Sequence, residues 1–119
     1  MKTYVQTGGA IDYTNSGAAL SAGDIRVLGN LLCVAITDIP VGATGSMATT
    51  GVFELPKVAA AVIGQGQTVL FDSSAGAFDD NLAVAAAGDL SGGCVAFEDA
   101  GNTITTVKVA INVGANVRT

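Results

Sequence analysis

Alternating apolar and polar positions predict a series of short β-strands along this chain. The clearest alternation lies at mid-chain, in residues 49–57, where Phe53 and Leu55 fall on one side of an extended segment and Glu54 falls on the other. Pro56 has no N–H to donate to a ladder. We therefore predict a strand near a sheet edge that ends at the proline.

The same kind of pattern predicts further strands on both sides of this segment. They cover residues 10–14, 25–28, 31–37, 46–55, 68–72, 93–98 and 103–113. The run at 31–37 is almost unbroken in apolar residues, which is typical of a strand covered on both faces. In the last strand the alternation predicts one row facing the core: Thr105, Val107, Val109, Ile111 and Val113.

The remaining segments give weaker signals. The alanine-rich residues 58–63 could form one or two turns of helix that stop at Gly64. We interpret residues 78–88 as a surface loop with one short strand. The tail from Gly114 onward could be disordered or could pair with a neighbour.

The strand pattern in the first half of the chain is repeated in the second half. The matching runs are residues 23–28 with 66–71, 33–38 with 94–99, and 47–55 with 104–111. Such repetition suggests two copies of one supersecondary unit that bury their apolar faces together. A chance resemblance between apolar strands is the alternative.

Composition supports a mainly β fold. Sixteen glycines against two prolines, with many β-branched residues, favour short strands joined by glycine turns. The 119 residues suffice for one domain, residues 1–119. Residues 1–7 could form an extended N-terminal arm that pairs with another subunit, while the alternative for residues 3–6 is a first strand that completes the sheet. We predict a small β-barrel or compact β-sandwich of short antiparallel strands with at most one short helix. The chain has no tryptophan and only 5% aromatic residues, and this thin core favours a homo-oligomer.

Charge and hydropathy argue against two classes of partner. The net charge is −5, and the five basic residues are scattered, whereas phosphate binding requires a clustered basic face. We therefore expect no nucleic-acid partner. No apolar run approaches the ~20 residues of a membrane span, and the first residues lack the apolar region of a signal peptide. We expect no membrane partner and synthesis in a cytoplasm.

Candidate catalytic chemistry is sparse. The chain has no histidine, so it cannot form a Ser-His or Cys-His pair. Cys33 and Cys94 occupy matching positions in the two repeats and are predicted to be buried free thiols, although a disulfide is the alternative. The acidic pairs Asp79-Asp80 and Glu98-Asp99 lack the ligand spacing of a calcium loop, which favours solvated turns. A phosphate-binding loop is also missing, since no glycine precedes a lysine. We predict no catalytic residues, cofactor or metal.

Several segments together resemble the capsid cement, or head decoration, proteins of tailed bacteriophages. Residues 51–57, Gly-Val-Phe-Glu-Leu-Pro-Lys, are the most specific of them. The others are the opening residues 4–8, the strand at 69–72 with Gly76 after it, and the final alternating strand. Some relatives are labelled recombinase-like, and the missing phosphate loop and basic face speak against that label here.

The resemblance implies a structural virion protein on the outer surface of a phage capsid. Cement proteins of this kind bind an expanded shell, usually as trimers or dimers, and stabilise contacts between major capsid subunits. The resemblance does not itself assign residues. We expect the capsid contact to be the arm formed by Lys2, Thr3, Tyr4, Val5 and Gln6, and we assign Phe53, Leu55 and Pro56 to the core or to an oligomer contact.

Two other functions fit the same sequence. A small non-catalytic adaptor would bind a stoichiometric protein partner and have no affinity for capsids. An enzyme that used the acidic turns would need a bound metal ion.

Overall fold

A computed structural model describes residues 9–81 and 83–119. Within these residues every regular element is a β-strand. In chain order they are β1 (Ala10–Thr14), β2 (Ile25–Leu28), β3 (Leu31–Ala35), β4 (Thr44–Ala48), β5 (Val52–Pro56), β6 (Thr68–Asp72), β7 (Ala77–Asp79), β8 (Leu90–Ala96), β9 (Thr106–Ala110) and β10 (Val117–Arg118). The prediction of a mainly β fold is confirmed.

The strands form two antiparallel sheets. The smaller sheet has the order β1-β4-β3-β2, and the larger has the order β5-β9-β8-β6-β7, with β10 also paired to β8. Neither sheet is closed by a continuous ladder, so the architecture is sandwich-like rather than a barrel. The predicted mid-chain strand is β5; it lies at an edge of the larger sheet and ends at Pro56, as expected.

Strand β3 is covered on both faces, as its apolar run predicted. Leu32 and Val34 point into a large core cluster that includes Val69, Val107 and other residues of the larger sheet. The alternating residues Cys33 and Ala35 belong instead to a smaller cluster with Leu20, Ile39 and Met47. The period of two along β3 therefore directs one face of the strand into the core shared with the larger sheet and the other face into a separate cluster within the smaller one.

The structure confirms the predicted repetition. We call residues 9–49 the first unit and residues 51–111 the second unit. In the first unit β1 pairs with β4 and β4 with β3, and in the second unit β5 pairs with β9 and β9 with β8, with registers that agree residue for residue. Ala10–Ala48 to Thr14–Thr44 in the first unit correspond to Val52–Ala110 to Pro56–Thr106 in the second, and Val34–Ala48 with Ala35–Met47 correspond to Val95–Ala110 with Ala96–Val109.

Even the turns of the two units use equivalent hydrogen bonds. The N–H of Ala22 donates to Asp38 Oδ1 at 2.9 Å, and the N–H of Gln65 donates to Asp99 Oδ1 at 2.7 Å. The bridge Leu20–Ile39 corresponds to the bridge Ile63–Ala100. The structure thus aligns β4 with β9 and makes β5 the counterpart of β1. Of the predicted match of residues 47–55 with 104–111, the strands therefore confirm only that residues 47–48 correspond to residues 109–110. The run at residues 47–55 is interrupted between Ala48 and Val52, where Gly51 adopts a φ of 124°.

The units differ mainly where the second strand connects to the third. In the first unit only Gly29 and Asn30 separate β2 from β3, whereas residues 73–89 separate β6 from β8 and contain β7. Strand β7 pairs with β6, so that Phe78 lies opposite Phe71, and its other side meets the end of β5 through a single parallel bridge from Phe78 to Lys57. The short strand predicted within residues 78–88 is therefore present, but it begins at Ala77.

The predicted helix at residues 58–63 is wrong. These residues form a turn in which the Ala61 N–H donates to the Val58 carbonyl at 3.0 Å and the Lys57 ammonium binds the carbonyl oxygens of Val58, Ala59 and Ala61. The Ile63 N–H, which an α-helix would pair with the Ala59 carbonyl, instead donates to the Ala100 carbonyl at 2.9 Å. These contacts with the Lys57 side chain and with a distant segment override the helix propensity of alanine.

The C-terminal predictions hold only in part. Val107, Val109 and Ile111 are buried as expected, but Thr105 and Val113 are exposed, since β9 spans only Thr106–Ala110. The chain turns away at Asn112, whose φ is 52°. The tail then pairs with the neighbouring strand β8 through β10, so the predicted alternative of a pairing tail holds, within the chain itself, and the alternative of a disordered tail is wrong.

Candidate functional site

The predicted arm lies outside the described residues. The description begins at Gly9, whose carbonyl accepts a hydrogen bond of 3.0 Å from the N–H of Thr49, next to the end of β4. The residues that precede Gly9 therefore join the fold at the start of β1, an edge strand of the smaller sheet.

The three residues predicted for the core or an oligomer contact occupy different environments. Leu55 is buried in the large core cluster, and Phe53 is partly buried against it. Pro56 is exposed at the end of β5 and lines a groove. The alternation of β5 thus places Phe53 and Leu55 toward the core and Pro56 on the surface.

The cysteines lie in settings that suppress thiol reactivity. Both are free and buried, as predicted. Burial raises the pKa of the Cys33 thiol to about 11 and also raises the pKa of Cys94. Since the thiolate is the reactive species, neither residue is a competent nucleophile at neutral pH.

The acidic turns are used for local structure. Asp99 accepts the N–H of Gln65, and Asp79 accepts the N–H of Asp80 at 2.8 Å. Glu98 lies 3.6 Å from the ammonium of Lys108 on the surface. In the described part of the chain, no three side chains of histidine, cysteine, aspartate or glutamate come together as a metal site would require.

The hydropathy and the charges of the described residues indicate neither a membrane-spanning helix nor a clustered basic face. The described residues contain no helix with the length and apolarity needed to cross a bilayer. The basic residues are engaged in separate places: Lys57 is buried, Lys108 faces Glu98, and Arg118 donates to the Gly29 carbonyl at 3.4 Å.

The most distinctive binding feature is a groove of about 580 Å³ beside strand β2, which we call the β2 groove. It is lined on one side by Ile25, Arg26 and Val27 and on the other by Pro56 and Phe71. All four residues of β2 are half-buried, whereas the three central residues of its counterpart β6 are buried. The difference arises because β7 covers β6, while β2 is the last strand of its sheet.

Arg26 spans the space between β2 and β1. Its guanidinium lies 5.9 Å from the centre of the Tyr13 ring, and its terminal nitrogen donates weakly to the Ala18 carbonyl at 3.3 Å. The Nε atom of Arg26 is buried and has no hydrogen-bond partner. A buried unsatisfied donor is costly, so this position favours an additional acceptor.

The sequence reading missed this groove. It predicted residues 25–28 as an ordinary strand, because the alternation of one strand does not show whether its edge is paired. The sequence does contain one indication of the open edge, which is the unequal spacing of the two repeats. Only the second unit has enough residues, between β6 and β8, to form an additional strand such as β7.

Two exposed apolar side chains also occupy equivalent positions. Ile36 and Phe97 are 51% and 52% exposed, and their N–H groups donate to the Ser46 and Lys108 carbonyls of the two units. Both therefore lie just beyond the ends of β3 and β8.

Comparison with known proteins identifies the family. Residues 5–111 match the family model described as phage cement protein, and this match includes both units of the repeat. The chain belongs to the phage cement protein family. A comparison with curated proteins finds no match.

Proposed function

We propose that this protein is a non-catalytic structural component of a phage virion, which binds the outer surface of the capsid and stabilises contacts between major capsid subunits. The observation that carries the proposal is the family match over residues 5–111. The buried, unreactive thiols and the locally bonded acidic turns are consistent with a structural role.

The proposed capsid contact is the arm of Lys2, Thr3, Tyr4, Val5 and Gln6. It precedes Gly9 at an edge strand, and a β-prone segment in that place can add a strand to another protein. Many copies on one shell would add their modest individual interfaces through multivalency.

We further propose a homo-oligomer, with a trimer favoured over a dimer, and no nucleic-acid or membrane partner. The exposed Pro56 supports a subunit contact at the end of β5. We also propose that the protein is synthesised in the host cytoplasm and that residues 1–119 form one domain.

The test is co-sedimentation of the purified protein with expanded, undecorated capsids. We expect saturable binding by the full chain and loss of binding when residues 1–6 are deleted. A second variant, Tyr4→Gly with Val5→Gly, keeps the length of the arm and should also bind poorly. Unchanged binding by both folded variants would contradict the role of the arm, while no binding by the full chain would contradict the proposed function.

A further inference from the structure

The second unit contains a strand that the first unit lacks. Strand β7 lies between β6 and the end of β5, where Phe78 is buried against the Phe71 ring at a centroid distance of 5.3 Å. The N–H of Val58 also donates to the Phe78 carbonyl at 2.9 Å. Among residues 9–81 and 83–119, no strand occupies the corresponding place between β2 and β1.

The vacant place has an exposed backbone edge. Leu28 and Leu31 flank a two-residue turn, and the residues in these positions of a hairpin form a hydrogen-bonded pair. Hydrogen-bonded pairs recur at every second residue of an antiparallel strand, so the backbone N–H and C=O groups of Arg26 also point toward β3. The N–H and C=O groups of Ile25 and Val27 therefore point away from β3. An unpaired strand edge of this kind accepts an added strand.

The second unit also indicates which strand would fit. Arg26 pairs with Cys33 as Val69 pairs with Cys94, so Arg26 is the counterpart of Val69. Two residues further along the same strands Leu28 corresponds to Phe71, although the register of β6 against β8 shifts between Val69 and Leu70. An added strand with the register of β7 would place a large apolar side chain, like that of Phe78, opposite Leu28. Two residues later its side chain would face Arg26, whose unpartnered Nε requires an acceptor.

The strand must come from another molecule. A β7-like strand runs antiparallel to β2 and parallel to β1, and its apolar residue would lie beside Asn15, the counterpart of Lys57. That point is six residues, or about 20 Å, from Gly9 along β1. Residues 1–8 would have to pass it and then return to Gly9, which exceeds the reach of so short a segment.

Building on the proposed function, we propose that the open edge of β2 accepts an extended segment of a major capsid subunit, antiparallel to β2. The segment carries a large apolar residue opposite Leu28 and, two residues later, an acidic residue opposite Arg26. The edge strands of a second copy do not offer this pattern, because β1, β2 and β10 have no acidic residue two positions after a large apolar one, Phe78 of β7 is already buried, and Glu54 of β5 accepts the Thr106 hydroxyl. Residues 1–8 contain no acidic residue.

The decisive experiment compares Val27→Pro with Val27→Ala in co-sedimentation with expanded capsids. Proline removes the outward N–H of β2 at an edge position that tolerates it, and alanine keeps this donor while it also shortens the side chain. We expect Val27→Pro to weaken binding at least about tenfold relative to Val27→Ala, with similar unfolding midpoints.

Each other outcome has a separate meaning. Equal binding by both variants would overturn the added strand and leave the proposed function intact. No binding by the unsubstituted chain would contradict the proposed function and the capsid as the occupant. A smaller native mass of Val27→Pro alone would show that a second copy occupies the groove, which would also overturn the proposal.

A peptide probe tests the recognised pattern without a capsid. Residues 76–81, Gly-Ala-Phe-Asp-Asp-Asn, contain Phe78 and Asp80 at the required spacing. We expect a synthetic peptide of this sequence to bind the protein, and its Asp80→Lys version to bind at least about tenfold more weakly. Equal binding of the two peptides would contradict the pairing with Arg26. Binding that persists unchanged in Val27→Pro would contradict the site.

Discussion

Gly45 and Ile39 pack so closely that no side chain fits between them. A Cβ atom on Gly45 would lie 2.7 Å from Cγ1 of Ile39. The counterparts of these residues in the second unit are Val107 and Ala100, both buried in the core. In the first unit the pair consists of a small Gly45 and a large Ile39. In the second unit the sizes are exchanged, with the larger Val107 at the Gly45 position and the smaller Ala100 at the Ile39 position.

This exchange predicts a strong coupling between the two positions. Gly45→Val should clash with Ile39, and Ile39→Ala should leave a cavity that costs about 2–5 kcal/mol. The double variant reproduces the arrangement of the second unit, so it should be more stable than the sum of the single effects by about 1–3 kcal/mol. Chemical denaturation of the four proteins measures this coupling, and additivity within about 0.5 kcal/mol would contradict the equivalence.

Lys57 should be important for stability because its ammonium is buried among backbone carbonyls. Nζ lies 2.7 Å from the Val58 carbonyl and 3.3 Å from that of Ala59. Lys57→Met would leave the Ala61 carbonyl without its Lys57 donor and would remove one of two donors from the Val58 and Ala59 carbonyls, so it should lower the free energy of unfolding by about 2 kcal/mol or more. Lys108→Met is the matched control, since Lys108 forms only a surface ion pair and its loss should cost less than about 1 kcal/mol. Equal stability of the two variants would contradict the structural role of Lys57.

Cys33 should make the fold sensitive to alkaline pH. Its pKa is raised from 9.0 to about 11 by burial, so the unfolded thiol ionises at a lower pH than the folded one. The stabilisation is therefore complete below pH 9 and is lost as the pH rises through 11. The stability of the natural chain should fall more steeply in this window than that of Cys33→Ala, as measured by denaturation at several pH values. Parallel pH profiles for the two proteins would contradict this prediction.

Asn112 should connect the two units through its side chain. Its Nδ2 donates to the carbonyls of Leu32 at 2.6 Å and Thr49 at 2.8 Å, and its backbone has a positive φ of 52°. Asn112→Ala loses these bonds and also suffers backbone strain, whereas Asn112→Gly loses only the bonds. We expect both variants to unfold more easily than the natural chain, with alanine about 1 kcal/mol less stable than glycine. A more stable alanine variant would show that the strain is unimportant.

Local patterns predicted much of the fold. The alternation at residues 68–72 matches β6, and the repeat emerged from the similarity of residues 33–38 and 94–99. Such features are readable because side chains alternate along a strand with a fixed period, and because Cys33-Val34-Ala35 recurs unchanged as Cys94-Val95-Ala96.

Features that depend on distant contacts could not be predicted in this way. The turn at residues 58–63 depends on where the Lys57 ammonium reaches, and the pairing of β10 depends on the nearby edge of β8. The open edge of β2 is likewise a property of the whole sheet order. The candidate arm, by contrast, was identified from its sequence alone and remains a prediction.

The most direct test of the central claim is a cryo-electron microscopy reconstruction of capsids before and after addition of this protein. We predict additional density on the outer surface that contacts at least two neighbouring major capsid subunits. Density confined to the inner surface, or a decorated shell identical to the undecorated one at saturating protein concentration, would contradict the account.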